Sequence, residues 1–230
     1  ADVQQALLHS PLIKDTGSEL ANWRLSGAAH TKLGLSIPLT AKPVVKVDLT
    51  SDLSAGRLQS DKRNLKLSGI VGRIGYKTGS GLYAKKIKGQ FFGYPFSAAI
   101  SSSALKSGER IRTTLNSKVA MSQLHSWSGI DLLKLADGVQ PYQAVLDICT
   151  SGDCSGLKIN SDLAATSLAL LPPYVKKKGT AMPFELAADF GELQRFRLAL
   201  GDRLHAVLEL HKERLNRGAL TLGGGLPQLP

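Results

Sequence analysis

The sequence predicts an all-β fold, an elongated and curled antiparallel sheet built from repeats, with a few short helices. Three observations lead to this prediction. Apolar and polar residues alternate with period 2, which is typical of half-buried antiparallel strands. Gly, Asn, Asp or Pro separates most of the alternating segments, as in folds with many short strands. A supersecondary pattern also recurs along the chain, which favours an open-ended architecture over a closed globule.

The alternation is clearest where Val45, Val47 and Leu49 are interleaved with Lys46 and Asp48. It predicts about a dozen strands. Further strands are predicted at 64–68, 110–119, 143–148, 157–163, 184–190, 196–200, 204–210 and 219–222. The glycines of 69–81 are interpreted as bends in the sheet. Short helices are predicted at 2–9, 18–23 and 128–136.

The internal repeat aligns Ser51-Asp52-Leu53 with Ser161-Asp162-Leu163, 110 residues further on. An alternating strand precedes Ser-Asp-Leu in both places, and a small residue follows it. The sequence therefore predicts two copies of one β repeat, residues 1–110 and 111–230, joined in one continuous sheet.

Composition narrows the chemistry of any ligand. Apolar residues make up 43% of the chain and aromatic residues only 6%, which favours an aliphatic wall over an aromatic cage. The net charge of +11 attracts polyanions of any kind, including nucleic acid and anionic lipid headgroups. Most basic residues stand singly at outward positions of the predicted strands, and Lys176–Lys178 form the one basic block.

Enzyme and metal signatures are weak. None of the five histidines lies in a Gly-x-Ser-x-Gly context, and the glycine-rich stretches lack the Gly-Lys-Ser/Thr ending of a phosphate-binding loop. His205, Glu209 and His211 could share one face of a strand, but a solvated surface is the expected reading. The sequence therefore predicts no catalytic residue, no metal and no cofactor.

Nucleic-acid binding would require basic residues interleaved with stacking aromatics on one face. The nearest approach is the group Tyr76, Lys77, Tyr83, Lys85 and Lys86. Tyr and Lys on neighbouring strands are common in extracytoplasmic sheets, so no nucleic-acid partner is expected.

Cys149 and Cys154 are separated by turn-forming residues and flanked by strand-like ones. This arrangement predicts a disulfide across a hairpin mouth, with two free buried thiols as the alternative. A disulfide would indicate an oxidising compartment. No run approaches the roughly 18 apolar residues of a spanning helix, and residues 1–4 do not open a signal peptide. We therefore expect the chain to be a piece of a longer protein, with its targeting segment elsewhere.

A series of short motifs follows a characteristic order along residues 10–225. Each motif is hydrophobic and weak alone, and their order carries the resemblance. They are Ser10-Pro11-Leu12, Leu25-Ser26-Gly27, the segment 33–39 (LGLSIPL), the segment 47–53 (VDLTSDL), the segment 67–76 (LSGIVGRIGY), Gly81-Leu82-Tyr83-Ala84, the segment 89–95 (GQFFGYP), the segment 138–148 (GVQPYQAVLDI), Ser161-Asp162-Leu163 and Leu171-Pro172-Pro173.

In this order the chain resembles the AsmA-like envelope proteins, most closely their YhdP type. The resemblance implies an inner-membrane-anchored periplasmic protein of a diderm bacterium, similar to the bridge-like lipid transfer proteins. Its implied role is phospholipid traffic between the inner and outer membranes, which supports the outer-membrane barrier. The implied partners are phospholipid acyl chains, bacterial membranes reached through other regions of the protein, and envelope proteins. The family's N-terminal membrane helix is not found in this sequence, and the Cys149/Cys154 pair is not expected from the family pattern.

If the sheet forms a trough, its lining is supplied by the apolar positions of the alternating strands, and headgroups would lie near basic rims such as Lys176–Lys178. The predicted lining consists of Val45, Val47, Leu49, Leu115, Leu146, Ile148, Leu157, Ile159, Leu186, Leu198, Leu208, Leu220 and Leu222. Two alternatives stay open. The same residues could fill the closed core of a β-sandwich or barrel, or the protein could be a non-enzymatic envelope scaffold that adds its edge strands to a partner.

Overall fold

A computed structural model describes residues 23–39, 45–62, 64–150, 154–170, 172, 175–191, 193–211 and 214–229. Within these ranges thirteen strands form one antiparallel sheet. Neighbouring strands follow chain order from β1 to β8 and from β10 to β13, with β8 beside β10, while β9 pairs with β7. Two compact units are distinguished: the described residues up to Thr113 with Cys149 and Thr150, and the rest.

The first unit is a meander of long strands. Its strands are β1 (Trp23–Ser36), β2 (Lys46–Ser60), β3 (Leu65–Lys77), β4 (Gly81–Phe91) and β5 (Tyr94–Ala104), followed by the first half of β6 (Glu109–Ala120). The backbone N–H of Thr150 donates to the carbonyl of Glu109 (2.9 Å), and the Thr150 hydroxyl accepts from the N–H of Glu109 (2.9 Å).

Bulges interrupt the pairing of every strand pair from β1 to β5. A bulge bends its strand and increases the local twist. Gly72 shows why glycine is needed there: its φ is +143°, and a Cβ at this position would lie 2.6 Å from the carbonyl oxygen of Lys86. Gly69, Gly72 and Gly75 lie inside β3, in agreement with the interpretation of these glycines as bends, whereas Gly79 lies in the turn after β3 and Gly81 begins β4.

The second unit contains a short helical connection and the remaining strands. Its elements are the end of β6, helix α1 (Met121–Ser128), a 3-10 helix (Asp131–Leu135), β7 (Ala136–Cys149), β8 (Gly156–Ser161), β9 (Thr166–Leu168), β10 (Phe184–Asp189), β11 (Leu193–Leu200), β12 (Leu204–His211) and β13 (Arg214–Leu222). The register of β10 to β12 is regular, and one bulge follows Glu209 in the β12–β13 pairing.

A buried amide holds the β8–β9 connection against β7. The side chain of Gln140 is 2% exposed. Its Nε2 donates to Ser161 Oγ and to Asp162 Oδ1, both at 2.9 Å, and its Oε1 accepts from the Ala165 N–H and the Thr166 hydroxyl, both at 3.0 Å. A buried polar group is tolerable only when its hydrogen bonds are made, and Gln140 makes them on both ends of its amide.

The prediction of an open, all-β antiparallel sheet with few short helices is confirmed. Among the described residues β1 pairs only with β2 and β13 only with β12, so the sheet does not close on itself. The division into two repeat copies stays a prediction. Ser51, Asp52 and Leu53 lie inside β2, whereas Asp162 and Leu163 follow the end of β8.

The helix predictions fare less well. Residues 2–9 and 18–22 lie outside the described residues, and Trp23 opens β1. The helix predicted at 128–136 is a 3-10 helix at Asp131–Leu135, and the true α-helix precedes it at Met121–Ser128. Helix α1 is not predicted from the sequence because its N-cap residue, Ala120, cannot make the side-chain capping hydrogen bond that marks a helix start.

Candidate functional site

One face of the first unit is apolar across its strands. Directly paired residues of antiparallel strands point to the same face, so the register assembles the face row by row. The rows are Leu33, Leu49, Tyr76 and Leu82; then Ala29, Leu53, Gly72, Ile87 and Ala98; then Leu25, Leu58, Leu67, Phe91 and Tyr94. The middle and last rows each cross five strands.

The second unit has an apolar face of the same kind. Two rows cross six strands each. They are Leu146, Leu157, Ala188, Phe196, Leu208 and Gly218; and Ala144, Ile159, Leu186, Leu198, Ala206 and Leu220. A third row adds Phe184, Leu200, Leu204 and Leu222. Burial raises the pKa of the Tyr142 hydroxyl, opposed by a hydrogen bond with Ser117, and Tyr142 lies on this face by its spacing from Ala144 and Leu146.

In each unit the apolar face is covered in the middle and exposed at one edge. In the first unit Ile87 is 8% exposed, whereas Leu33 and Leu35 on β1 are each 58% exposed. In the second unit Ala188 is buried, whereas Leu220 and Leu222 on β13 are each 60% exposed. Scattered apolar side chains are normal on a protein surface, but contiguous ones indicate a binding surface.

The residues predicted to line a trough lie on these faces. Leu146, Leu157, Ile159, Leu186, Leu198, Leu208, Leu220 and Leu222 belong to the rows of the second unit, and Ile148 is two residues beyond Leu146 on β7. Val47 and Leu49 pair with Leu35 and Leu33 in the first unit, and Val45 lies just before β2. That these residues touch lipid stays a prediction.

A hydrogen bond between side chains places Leu115 on the same face. Gln143 Nε2 donates to Asn116 Oδ1 (3.1 Å), which puts Asn116 on the face of Gln143. Gln143 pairs with Asn160 in a polar row. Because side chains alternate along a strand, Leu115 points to the face of Ala144 and Leu146.

Sequence reading missed the part of the apolar face that β4 and β5 supply. Leu82 and Ala84 lie on it, and so do Ile87, Phe91 and Phe96, but a bulge between Ala84 and Ile87 shifts the alternation by one residue. Lys85 and Lys86 occupy that bulge. A search for period 2 that allows a one-residue shift would have found β4. The period of β5 is not interrupted, so its apolar positions, Tyr94, Phe96, Ala98 and Ile100, could have been found by plain alternation.

The opposite face of the first unit is cationic. Basic residues lie there at positions that alternate with the apolar rows: Arg24, Lys32, Lys46, Arg57, Lys66, Arg73, Lys77 and Lys88. Three of them have acidic neighbours. Arg24 is paired with Asp61, Arg73 Nε lies 2.7 Å from Asp52 Oδ1, and Lys77 Nζ lies 4.0 Å from Asp48 Oδ2. The Arg73 hydrogen bond lowers the pKa of Asp52.

The opposite face of the second unit is ion-paired. Glu209 on β12 is 1% exposed and lies between two arginines from the strands on either side. Arg195 lies 3.2 Å from its Oε2 and Arg217 2.9 Å from its Oε1, and Asn216 Nδ2 donates to Oε1 (2.9 Å). Hydrogen bonds from Arg217, Asn216 and Arg195 lower the pKa of Glu209 to about 2.

Two further ion pairs lie on the same face of the second unit. Lys158 Nζ lies 2.9 Å from Glu185 Oε2, and Arg197 lies 3.0 Å from Asp189 Oδ2. Every one of these pairs joins neighbouring strands. The second unit therefore neutralises its own polar face.

Lys176 is a correction to the predicted basic rim. Its side chain is 3% exposed, and its Nζ donates to the carbonyl oxygens of Thr166 (2.6 Å) and Lys177 (3.3 Å). Burial lowers the pKa of its ammonium group, against the field of Asp162. Lys176 is a structural residue of the segment between β9 and β10, where it is held against β9, whereas Lys177 and Lys178 are exposed.

Cys149 and Cys154 are disulfide-bonded. In the part of the chain that the structure describes, no group of three or more His, Cys, Asp or Glu could hold a metal ion. Within the triad His205, Glu209 and His211, the carboxylate of Glu209 is already engaged by Arg195 and Arg217.

None of the described helices has the length and apolar character needed to cross a membrane. No curated protein and no solved structure matches this chain. The family model described as YhdP protein matches residues 1–230, the whole of the sequence. Because the match covers its whole length, this chain belongs to the YhdP protein family.

Proposed function

We propose that this protein carries phospholipids between the inner and outer membranes of a diderm bacterium, with acyl chains lying along the apolar face of its sheet. The observation that carries the proposal is the apolar rows, which cross up to six strands, together with the exposed leucines of the edge strands β1 and β13. Membership of the YhdP family supports an envelope lipid-transfer role.

The physical basis of the proposed transfer is the equivalence of neighbouring contacts. Each buried methylene contributes about 0.8 kcal/mol, so a two-chain lipid is held by many small contributions. A step along the rows exchanges one leucine contact for another, such as Leu186 for Leu198 on the next strand. The chain is held firmly in total, yet each step costs little, and no catalytic residue takes part.

The proposal includes a periplasmic location and inner-membrane anchoring, both from the family resemblance. The disulfide of Cys149 and Cys154 supports an oxidising compartment. The scaffold alternative, in which an edge strand pairs with another envelope protein, is an outcome of the test below.

The test compares substitutions of neighbouring residues on opposite faces. Leu35→Asp and Leu220→Asp place a carboxylate on the apolar face at positions that are already exposed, so folding is preserved. Their controls are Ser36→Asp, which faces the other way beside Lys46, and Thr221→Asp, beside His205. The protein is purified from a bacterial periplasm without detergent, and bound lipid is measured by native mass spectrometry and organic extraction.

We expect phospholipid to copurify with the unmodified protein and with both controls, and to be depleted in Leu35→Asp and Leu220→Asp. Circular dichroism checks that all four variants are folded. A lipid-free unmodified protein, or equal lipid content in all variants, would contradict the proposal and favour the scaffold.

A further inference from the structure

The charge of this protein is concentrated in one unit. Residues 23–113 contain 16 Lys and Arg against 4 Asp and Glu, whereas residues 114–230 contain 12 against 11. Almost all of the positive excess therefore lies in the first unit. Electrostatic attraction of a polyanion must be strongest there.

Within that unit, several of the basic residues lie on the face opposite the apolar rows. Lys66 pairs with Gln59, and Lys88 pairs with Ser97. Their chain neighbours Leu67 and Ile87 belong to the apolar rows, so the two lysines point to the opposite face. Lys85 and Lys86 project from the bulge of β4, and Arg57 pairs with Ser26. We call Arg57, Lys66, Lys85, Lys86 and Lys88 the cationic face.

All five side chains are exposed. Among the residues that the structure describes, none forms an ion pair or a side-chain hydrogen bond with these five. An unpaired ammonium or guanidinium group keeps its full charge for a ligand. These five residues therefore do not have an internal ion-pairing role like that of Arg195 and Arg217 around Glu209.

The five charges of the cationic face are spread over three neighbouring strands, β2, β3 and β4. Same-face residues of a strand are about 6.6 Å apart and neighbouring strands about 4.8 Å. Such spacing presents single charges over an area, which complements an area of phosphate groups better than one small anion.

A single-stranded nucleic acid would need aromatic rings on this face that are free to stack with bases. Tyr83 lies on it, paired with Gly75. Its ring is packed against that glycine, because a Cβ built on Gly75 would lie 2.4 Å from Tyr83 Cζ. The ring is therefore engaged within the sheet.

From these observations we infer that the cationic face of the first unit docks on the anionic phospholipid surface of a membrane. The inference goes beyond the proposed function, because it concerns the face opposite the apolar rows and does not require that lipid be carried. Docking there would leave the apolar rows facing away from the contact.

The experiment uses vesicle cosedimentation with the 230-residue protein. The vesicles contain phosphatidylglycerol and phosphatidylethanolamine, with phosphatidylcholine vesicles for comparison. The variant Lys86→Glu/Lys88→Glu is compared with Lys177→Glu/Lys178→Glu, which makes the same charge change at two exposed lysines of the second unit. Lys86→Arg/Lys88→Arg retains the charge.

We expect binding to phosphatidylglycerol vesicles that weakens with added salt, because exposed charges are screened. Each lysine near an anionic surface is worth about fivefold in affinity, so Lys86→Glu/Lys88→Glu should weaken binding by about 25-fold or more. The control pair should change it by less than about twofold, and the arginine variant should bind as the unmodified protein does.

Equal weakening by the two glutamate pairs, or equal binding to phosphatidylcholine vesicles, would overturn the inference. So would displacement by a single-stranded oligonucleotide at matched phosphate concentration, which would identify nucleic acid as the preferred polyanion. Copurified lipid separates this inference from the proposed function. If Lys86→Glu/Lys88→Glu still copurifies with lipid but the unmodified protein does not bind vesicles, only the docking inference fails.

Discussion

The two units share an apolar face but differ in what lies behind it. In the first unit, lysines such as Lys66 and Lys88 are left unpaired by the described residues. In the second, Glu209 lies between Arg195 and Arg217, and acidic residues on adjacent strands neutralise Lys158 and Arg197. The apolar face, which both units share, is the surface that the proposed transfer requires. The charge on the opposite face differs between the units, which indicates that the two polar faces have different roles.

The largest expected effect concerns the buried, hydrogen-bonded side-chain amide of Gln140 in the second unit. Gln140→Leu removes the amide from a site that is 2% exposed and leaves the Ala165 N–H and the Thr166 hydroxyl without their acceptor. Two orphaned groups should lower the free energy of unfolding by about 4 kcal/mol. Chemical denaturation measures the loss, and hydrogen exchange should place it in β7 to β9.

The matched control is Gln143→Leu, on the same strand but with an exposed hydrogen bond to Asn116. It should cost about 0.5 kcal/mol. A similar cost for both substitutions would mean that the buried amide does not hold the connection.

The next effect compares the covered middle and the exposed edge of the first unit's apolar face. Ile87→Ala should lower the free energy of unfolding by about 3 kcal/mol, because it opens a cavity where the side chain is 8% exposed. Leu35→Ala, at 58% exposure, should change it by about 0.5 kcal/mol or less. Denaturant titration of both variants decides. A large loss for Leu35→Ala would indicate that the edge is covered in solution.

A third prediction concerns acid stability, which should differ between the units. The folded-state pKa of Glu209 is about 2, below its ordinary value of 4.5. The stabilisation is therefore present above pH 4.5 and is lost as the pH falls toward 2, with the unfolded state binding about one more proton in that window. Asp52 shifts in the same direction in the first unit, but its Arg73 pair is exposed.

Thermal melting between pH 5 and pH 2.5 measures this dependence, and hydrogen exchange assigns it to a unit. Glu209→Gln should remove the part of the slope that belongs to the second unit. An unchanged slope in that variant would show that another carboxylate is responsible.

The smallest expected effect is that of a single surface ion pair in the second unit. A double-mutant cycle on Lys158 and Glu185, with alanine at each position, should give a coupling of about 0.5 kcal/mol. The coupling should fade in 1 M salt, because both side chains are about half exposed. A coupling well above 1 kcal/mol would show that this face is less solvated than its exposure indicates.

Much of the architecture could be predicted from alternation alone, and the failures have physical causes. The register brings Leu186 and Leu198 onto one face, as the alternation predicts, because regular strands preserve period 2. The bulge at Lys85 and Lys86 breaks the period of β4 and prevents its prediction, whereas β5 keeps period 2 and could have been predicted by alternation. Lys176 was misjudged because a run of three lysines has no internal sign that one of them is buried.

The sequence by itself determined the fold class, the family and which side chains of a regular strand share a face, because these depend on local periodicity and motif order. The tertiary structure decided which strands are neighbours and in what register. Only the register brings Arg195 and Arg217 to Glu209, while leaving Lys66 and Lys88 unpaired among the described residues. Coulomb interactions act over a few ångströms in space, so the charges that are neutralised and those that remain available follow from strand pairing and cannot be read along the chain.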